Sequence, residues 1–124
     1  MNKKDELTGR IIGCAIEVHR NLGPGLLESA YQQCLARELS IREIRFEMEK
    51  AIPVHYKGTQ IDCGYRVDLL VEDRVILELK AVDSVTGIHK AQLLTYMKLA
   101  HSTTGLLINF NTNVLKDGIQ RFKL

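Results

Sequence analysis

A chain of 124 residues, 45% apolar and 26% charged, has the size and make-up of one ordinary globular domain with a core of its own. Its net charge of +2 gives no broad field that would gather nucleic acid without specific contacts, and excludes none either. Three cysteines, odd in number and never at C-x-x-C spacing, speak against a disulfide framework or a zinc site and for a reducing compartment.

The start, MNKKDELTGR, has no apolar stretch of the signal-peptide kind behind its lysines. No apolar run approaches the roughly 20 residues that span a bilayer. The expectation is a cytoplasmic protein with no membrane partner. Residues 5–21 carry Leu7, Ile11, Cys14, Ala15 and Val18 at helical spacing, continued by Leu22 and widened by Ile12 and Ile16. That stripe predicts a well-buried helix. His19 lies near its edge and reads as a packed or capping histidine. Asn21-Leu-Gly-Pro-Gly25 stops this helix and starts a second, from Leu26 to Leu39. Leu27, Ala30, Cys34 and Leu35 supply its apolar side. Glu28 and Tyr31, three apart, share a face near its N-terminal end. The helix dipole alone would favour a glutamate there, and Tyr31 reads equally well as a half-buried aromatic.

Residues 44–56 look extended, with Ile44, Phe46 and Met48 alternating with charges and Pro53 marking an edge or a break. Lys57-Gly58 is a turn signal, and Thr59 to Cys63 leads into the stretch Tyr65 to Ala81. That stretch reads as a hairpin. Val67, Leu69 and Val71 alternate on its first strand and Val75, Leu77 and Leu79 on its second, forming one apolar face. The other face holds Arg66, Asp68 and Leu70, then Arg74, Ile76, Glu78 and Lys80. A three-residue loop, Glu72-Asp73-Arg74, keeps the apolar face shared, pairs Val71 with Val75 and sets Asp68 opposite Glu78; a two-residue loop breaks that face. Directly paired side chains start about 5 Å apart at Cβ. Two carboxylates that close repel unless a proton or a cation lies between them. With Lys80 on the same side, the pattern asks for a hard divalent cation. The plainer alternative is a solvated polar face.

Asp83 to Gly87 reads as a loop and Ile88 to Ala100 as a helix, with Leu93, Leu94, Met97 and Ala100 on its buried side. His89, Gln92 and Tyr96 share its flank. Thr104 to Phe110 is a continuous apolar run, expected as a buried strand parallel to its neighbour. Asn111 to Gly118 reads as a loop and Ile119 to Leu124 as a last edge strand. The order helix, helix, strands, hairpin, helix, strand predicts an α/β fold, a sheet with helices on both faces in three layers.

These motifs, in this order, resemble the PD-(D/E)XK phosphodiesterase superfamily, whose restriction-endonuclease-like fold is an α/β/α sandwich around a central mixed sheet. Asp68 resembles its metal-binding aspartate and Glu78-Leu79-Lys80 its (D/E)-x-K. Gln92-Leu-Leu-Thr-Tyr96 resembles the Q-x-x-x-Y motif of the RecB-type branch. Gly25-Leu-Leu-Glu28-Ser-Ala-Tyr31 is similar to G-x-x-E-x-x-Y, the motif that names a family of small bacterial and archaeal proteins. Glu-x-Lys alone is a weak signal; Asp68, Glu78-x-Lys80 and Gln92-x-x-x-Tyr96 in order are strong together. The residue before Asp68 is Val67 where the superfamily motif has proline, a position that does not chelate. The resemblance covers essentially the whole chain, as a single nuclease-like domain over residues 1–124.

What the resemblance implies is Mg²⁺-dependent (or Mn²⁺-dependent) hydrolysis of nucleic acid, with DNA as the first choice of substrate. Asp68, Glu78 and the main-chain carbonyl of Leu79 would hold the metal, and Glu28 would join them directly or through water. Lys80 would polarise the attacking water or neutralise the scissile phosphate. Gln92 and Tyr96 would position the substrate strand or the lysine, and His89 is a candidate phosphate contact. The alternative is a non-catalytic module of this fold that binds nucleic acid or a partner protein; a homodimer or a partner protein fits either reading. A glycosidase built on the carboxylate pair is disfavoured, because the chain has no Trp for a sugar cleft and a lysine sits with the pair.

Overall fold

The stripe of Leu7, Ile11, Cys14, Ala15 and Val18 is buried along one side of α1 (Lys3–Leu22) in the computed structural model, which describes residues 3–124. Met1 and Asn2, at the head of the MNKKDELTGR stretch, lie outside the described residues. Helix α2 (Glu28–Ile41) packs on α1 and adds Tyr31, Leu35, Ala36 and Leu39 to the buried side. It begins two residues later than the sequence pattern suggests. Leu27 is its N-cap and is 76% exposed, so it does not belong to the apolar side that the pattern assigns it. The sharp Gly23-Pro24-Gly25 turn, with positive φ at both glycines, is the reason: helical geometry cannot start until that turn is complete.

Strands β1 (Phe46–Ala51), β4 (Arg66–Val71), β5 (Val75–Lys80), β6 (Thr104–Asn109) and β7 (Ile119–Lys123) form a five-stranded sheet in the order β1-β4-β5-β6-β7. The β5–β6 pair is parallel and the other three are antiparallel, so the sheet is mixed. Parallel neighbours need a crossover, and α3 (Gly87–Leu99) supplies it. The extended stretch from Ile44 divides at Pro53. Beyond it, β2 (Val54–Tyr56) and β3 (Thr59–Ile61) pair only with each other around the Lys57-Gly58 turn, as a separate exposed arm.

Helices α1 and α2 cover one face of the sheet, where Leu69, Val71, Val75, Leu77, Leu79, Leu106 and Ile108 meet them. Helix α3 covers the other, with Leu93, Tyr96 and Met97 against Val67, Ile76 and Leu107. The result is an α/β/α layering around a mixed sheet. Gly105 on β6 lets α3 sit close: a Cβ there would lie 2.7 Å from Met97 Sδ. The segment after β6 contains a 3₁₀ turn, Leu115–Gly118, whose Leu115 closes the core under α1.

Candidate active site

The hairpin register is Val71 with Val75, Leu70 with Ile76 and Leu69 with Leu77, as one-sided burial predicts. The loop is the three residues Glu72-Asp73-Arg74, closed by an Arg74 N–H to Val71 carbonyl bond of 2.9 Å. Continued by one pair, this register sets Asp68 against Glu78. The regular pairing stops before it gets there.

The break is in the backbone. Glu49 stands opposite Asp68 in the β1–β4 register and has φ 53, in the left-handed region. On the turn side of this point Met48 and Leu69 face α1 and α2; beyond it Ile52 and Val67 pack under α3. Both strands therefore switch faces at the Glu49–Asp68 pair. This corrects the expectation that Val67 shares one apolar face with Leu69. Strict period-two alternation holds only along an unbroken strand.

Asp68 uses the gap that results. Its Oδ2 accepts the Leu79 N–H at 2.7 Å, standing in for a strand carbonyl across the opening between β4 and β5. Its own main-chain carbonyl accepts from Gln32 Nε2 of α2 at 3.1 Å. Glu78 projects on the α3 side of β5 and is only 5% exposed, and its Oε1 is buried without a hydrogen-bond partner. Burial, then the negative charge of Asp68 and a carboxyl–carboxyl contact with it, push the Glu78 carboxyl up to about 9. Asp68 is also raised, by burial first, against the pull of the Leu79 N–H. Lys80 is half-buried and its charge draws both carboxyls down. A half-buried and a buried acid that both resist ionising, the second with an orphaned oxygen, match the chemistry of a site for a cation. A lost proton here leaves negative charge with too few donors.

Tyr96 is buried on α3, and its phenol is raised by burial and then by the charge of Glu78. Gln92 Nε2 donates to Tyr96 Oη at 3.0 Å. Gln92 itself is exposed on the outer flank. The Tyr65 ring, in the segment between the β2–β3 arm and β4, lies 5.9 Å from that of Tyr96. His89 Nδ1 accepts the Thr86 N–H at 3.1 Å, which ties it to the start of α3. His19 is buried, with Nε2 2.8 Å from the Thr112 carbonyl, a packed histidine.

Glu28 occupies the first turn of α2, exposed, in a shallow groove shared with Leu26, Ser29 and Ala81, the residue after Lys80. Gln32 is one turn further on the same helix face, and it touches Asp68. Among the described residues no set of three or more His, Cys, Asp or Glu converges so that it could hold a metal ion. The acidic centre is thus the pair Asp68 and Glu78, and Glu28 does not join them in a three-ligand cluster. Leu79, between Glu78 and Lys80, has its side chain in the core and its N–H on Asp68. Tyr31 does not pack against the pair. It is fully buried, stacked on Phe110 at 4.4 Å, donating to the Gly23 carbonyl at 2.6 Å and accepting the Leu26 N–H at 3.1 Å. In G-x-x-E-x-x-Y the tyrosine pins the turn that launches α2 and so fixes where Glu28 begins.

Sequence reasoning missed Gln32 and Glu49. A glutamine one turn after Glu28 was a signal of sorts; a strand glutamate with left-handed backbone leaves none. Among the described residues no helix is long and apolar enough to cross a membrane. The family model described as the PD-(D/E)XK nuclease superfamily matches residues 5–122. No curated protein and no solved structure matches.

Proposed function

Because the chain belongs to the PD-(D/E)XK nuclease superfamily, we propose that it is a divalent-metal-dependent nuclease that cleaves phosphodiester bonds of DNA at the Asp68–Glu78–Lys80 cluster. The observation that carries this is the pairing of half-buried Asp68 with buried Glu78, whose Oε1 is unpartnered, and a lysine alongside. A structural ion pair would have satisfied that oxygen.

Asp68 and Glu78 are the residues that would hold Mg²⁺ or Mn²⁺, with the Leu79 carbonyl and Glu28 as additional contributors. The ion, when bound, supplies a water acidic enough to attack and positive charge for the phosphate. The Leu79 N–H orients the Asp68 carboxylate, so that residue meets a cation without first searching rotamers. Lys80 holds a positive charge beside the pair, where it can donate to a phosphate oxygen or to the attacking water. Tyr96 Oη already accepts from Gln92, which leaves its own proton free for a carboxylate or a phosphate oxygen. Burial under α3 keeps bulk water from Glu78 and strengthens each of these charge effects. The free cysteines, Cys63 among them exposed, suit a reducing cytoplasm.

The test is a cleavage assay on single- and double-stranded DNA and RNA with and without Mn²⁺, for the wild type and Lys80→Ala. Metal-dependent cleavage that Lys80→Ala lowers by about 10²-fold or more is expected. Tight Mn²⁺ binding with no turnover on any of these nucleic acids would leave a binding module of the same fold.

A further inference from the structure

Among the described residues, Glu49 is the non-glycine residue that holds a positive φ inside a strand; Glu43, Lys57, Glu72, Asp73 and His101 all do so in turns. Left-handed backbone is unfavourable for a glutamate, and a strand does not call for it. Such a torsion persists only where the surroundings hold it. Gln32 Nε2 donates to Glu49 Oε1 at 2.9 Å and to the Asp68 carbonyl at 3.1 Å, spanning both members of the kinked pair from α2.

We propose that Gln32 is a positioning residue for the acidic pair. By bridging the Glu49 carboxylate to the Asp68 main chain, it fixes the kink that turns the Asp68 carboxylate onto the Leu79 N–H beside Glu78. This rests on the reading of Asp68 and Glu78 as a metal site, and adds to it the device that sets their spacing. The kink is what ends the β4–β5 pairing at Leu69–Leu77, and the Asp68 carboxylate fills the opening by taking the Leu79 N–H. Without the kink the Asp68 side chain would stand perpendicular to the sheet, as side chains on a regular strand do. Gln32 also sits one turn from Glu28, so the contact that sets Asp68 sets the helix that carries Glu28. The charge of Glu49 raises the Asp68 carboxyl, as its proximity requires.

The experiment is Mn²⁺ titration by calorimetry of the intact chain, with circular dichroism and melting temperature recorded on each protein. Gln32→Met keeps the length of the side chain and removes both donors. It is expected to keep the fold and to weaken Mn²⁺ binding about tenfold or more, the usual effect of losing a group that orients a metal ligand. Glu49→Ala removes the acceptor of Gln32 and disfavours the positive φ; weaker Mn²⁺ binding is expected at a temperature where circular dichroism shows the fold intact. This second variant decides the matter if Gln32→Met does not fold. A Gln32 that merely docks α2 on the sheet would lower the melting temperature and leave Mn²⁺ affinity unchanged, which overturns the proposal. Asp68→Asn separates the two levels. If it too retains wild-type affinity, the metal site itself is misplaced; if it loses affinity while Gln32→Met and Glu49→Ala keep it, only the role of Gln32 is wrong.

Discussion

At the turn end of the β4–β5 hairpin, Val71 pairs with Val75 and Leu69 with Leu77, and all four are sealed under α1 and α2. The carboxylate beside that turn, Glu72, is surrounded by donors: the Arg45 main-chain N–H and then its guanidinium hold it below the usual carboxylate range. At the open end the pairing has stopped, and Glu78 has an oxygen that nothing satisfies. Its carboxyl is pushed up to about 9. One hairpin thus carries two glutamates six residues apart with opposite electrostatic fates. The fate follows from the donors each one meets, not from the strand that carries it. Regular pairing spends every backbone group on the sheet; only where it fails can a buried carboxylate be left in want of a cation.

The largest expected effect follows from inverting the open end. Glu78→Gln keeps the shape and removes the charge. Cleavage is expected to fall by about 10²–10³-fold or more, while the metal-free protein becomes more stable at alkaline pH. The sign is set by the raised pKa: a group near 9 in the fold and near the ordinary 4.5 when unfolded binds its proton more tightly in the fold. Its stabilising share is complete below pH 4.5 and is lost as pH rises through 9. Metal-free wild type should therefore melt at falling temperature over that window, and Glu78→Gln should lose most of the dependence. Melting curves with chelator at several pH values check this. A slope unchanged by Glu78→Gln would place the titrating group elsewhere.

Next in size is the closed end. Leu77→Ala removes a fully buried side chain between paired strands and the two helices. Such truncations cost about 2–5 kcal/mol. Denaturant unfolding should show that loss, while Mn²⁺ affinity, measured well below the melting temperature, stays within about twofold of wild type. If Mn²⁺ affinity fell with stability, the two ends would be one mechanical unit and the contrast between them would fail.

The same contrast governs how much could be read in advance. The closed end was legible because Leu69, Val71, Val75 and Leu77, apolar at period two, admit one register, and that register is found. The run Thr104–Phe110, continuous and apolar, became β6 parallel to β5, since only a strand buried on both faces has that composition. The open end was legible only as far as the register reaches. It set Asp68 against Glu78, but it put Val67 on the wrong face because nothing in Glu-Met-Glu-Lys marks a left-handed residue. Gln32, on an amphipathic helix, reads as an ordinary polar position; its two bonds join residues 17 and 36 positions away. Leu27 was misread for a different reason. Its apolar character fits a helix face, but the Gly23-Pro24-Gly25 turn postpones the helix and leaves it at the cap.

The smallest effect is expected beside the turn. Arg45 and Glu72 form an ion pair at 2.9 Å on the surface, with the arginine side chain 75% exposed. Exposed pairs are worth at most about 1 kcal/mol, so Glu72→Gln should cost no more than that near neutral pH. The sign here is opposite to that of Glu78. The Glu72 pKa is lowered in the fold, so its share of stability is present above the ordinary carboxylate value and is lost as pH falls through the folded value. Wild type and Glu72→Gln should therefore converge in acid and differ by a constant amount above it, whereas wild type and Glu78→Gln should differ by a constant amount below pH 4.5 and diverge from that progressively up to about pH 9. Added salt should shrink the Glu72 difference, because that pair is screened, and should act far less on Glu78, which is buried. If the Glu72→Gln difference grew in acid, or withstood molar salt, Glu72 would be held by something other than its exposed donors, and the pairing of donor-rich with donor-poor carboxylates along this hairpin would lose its physical basis.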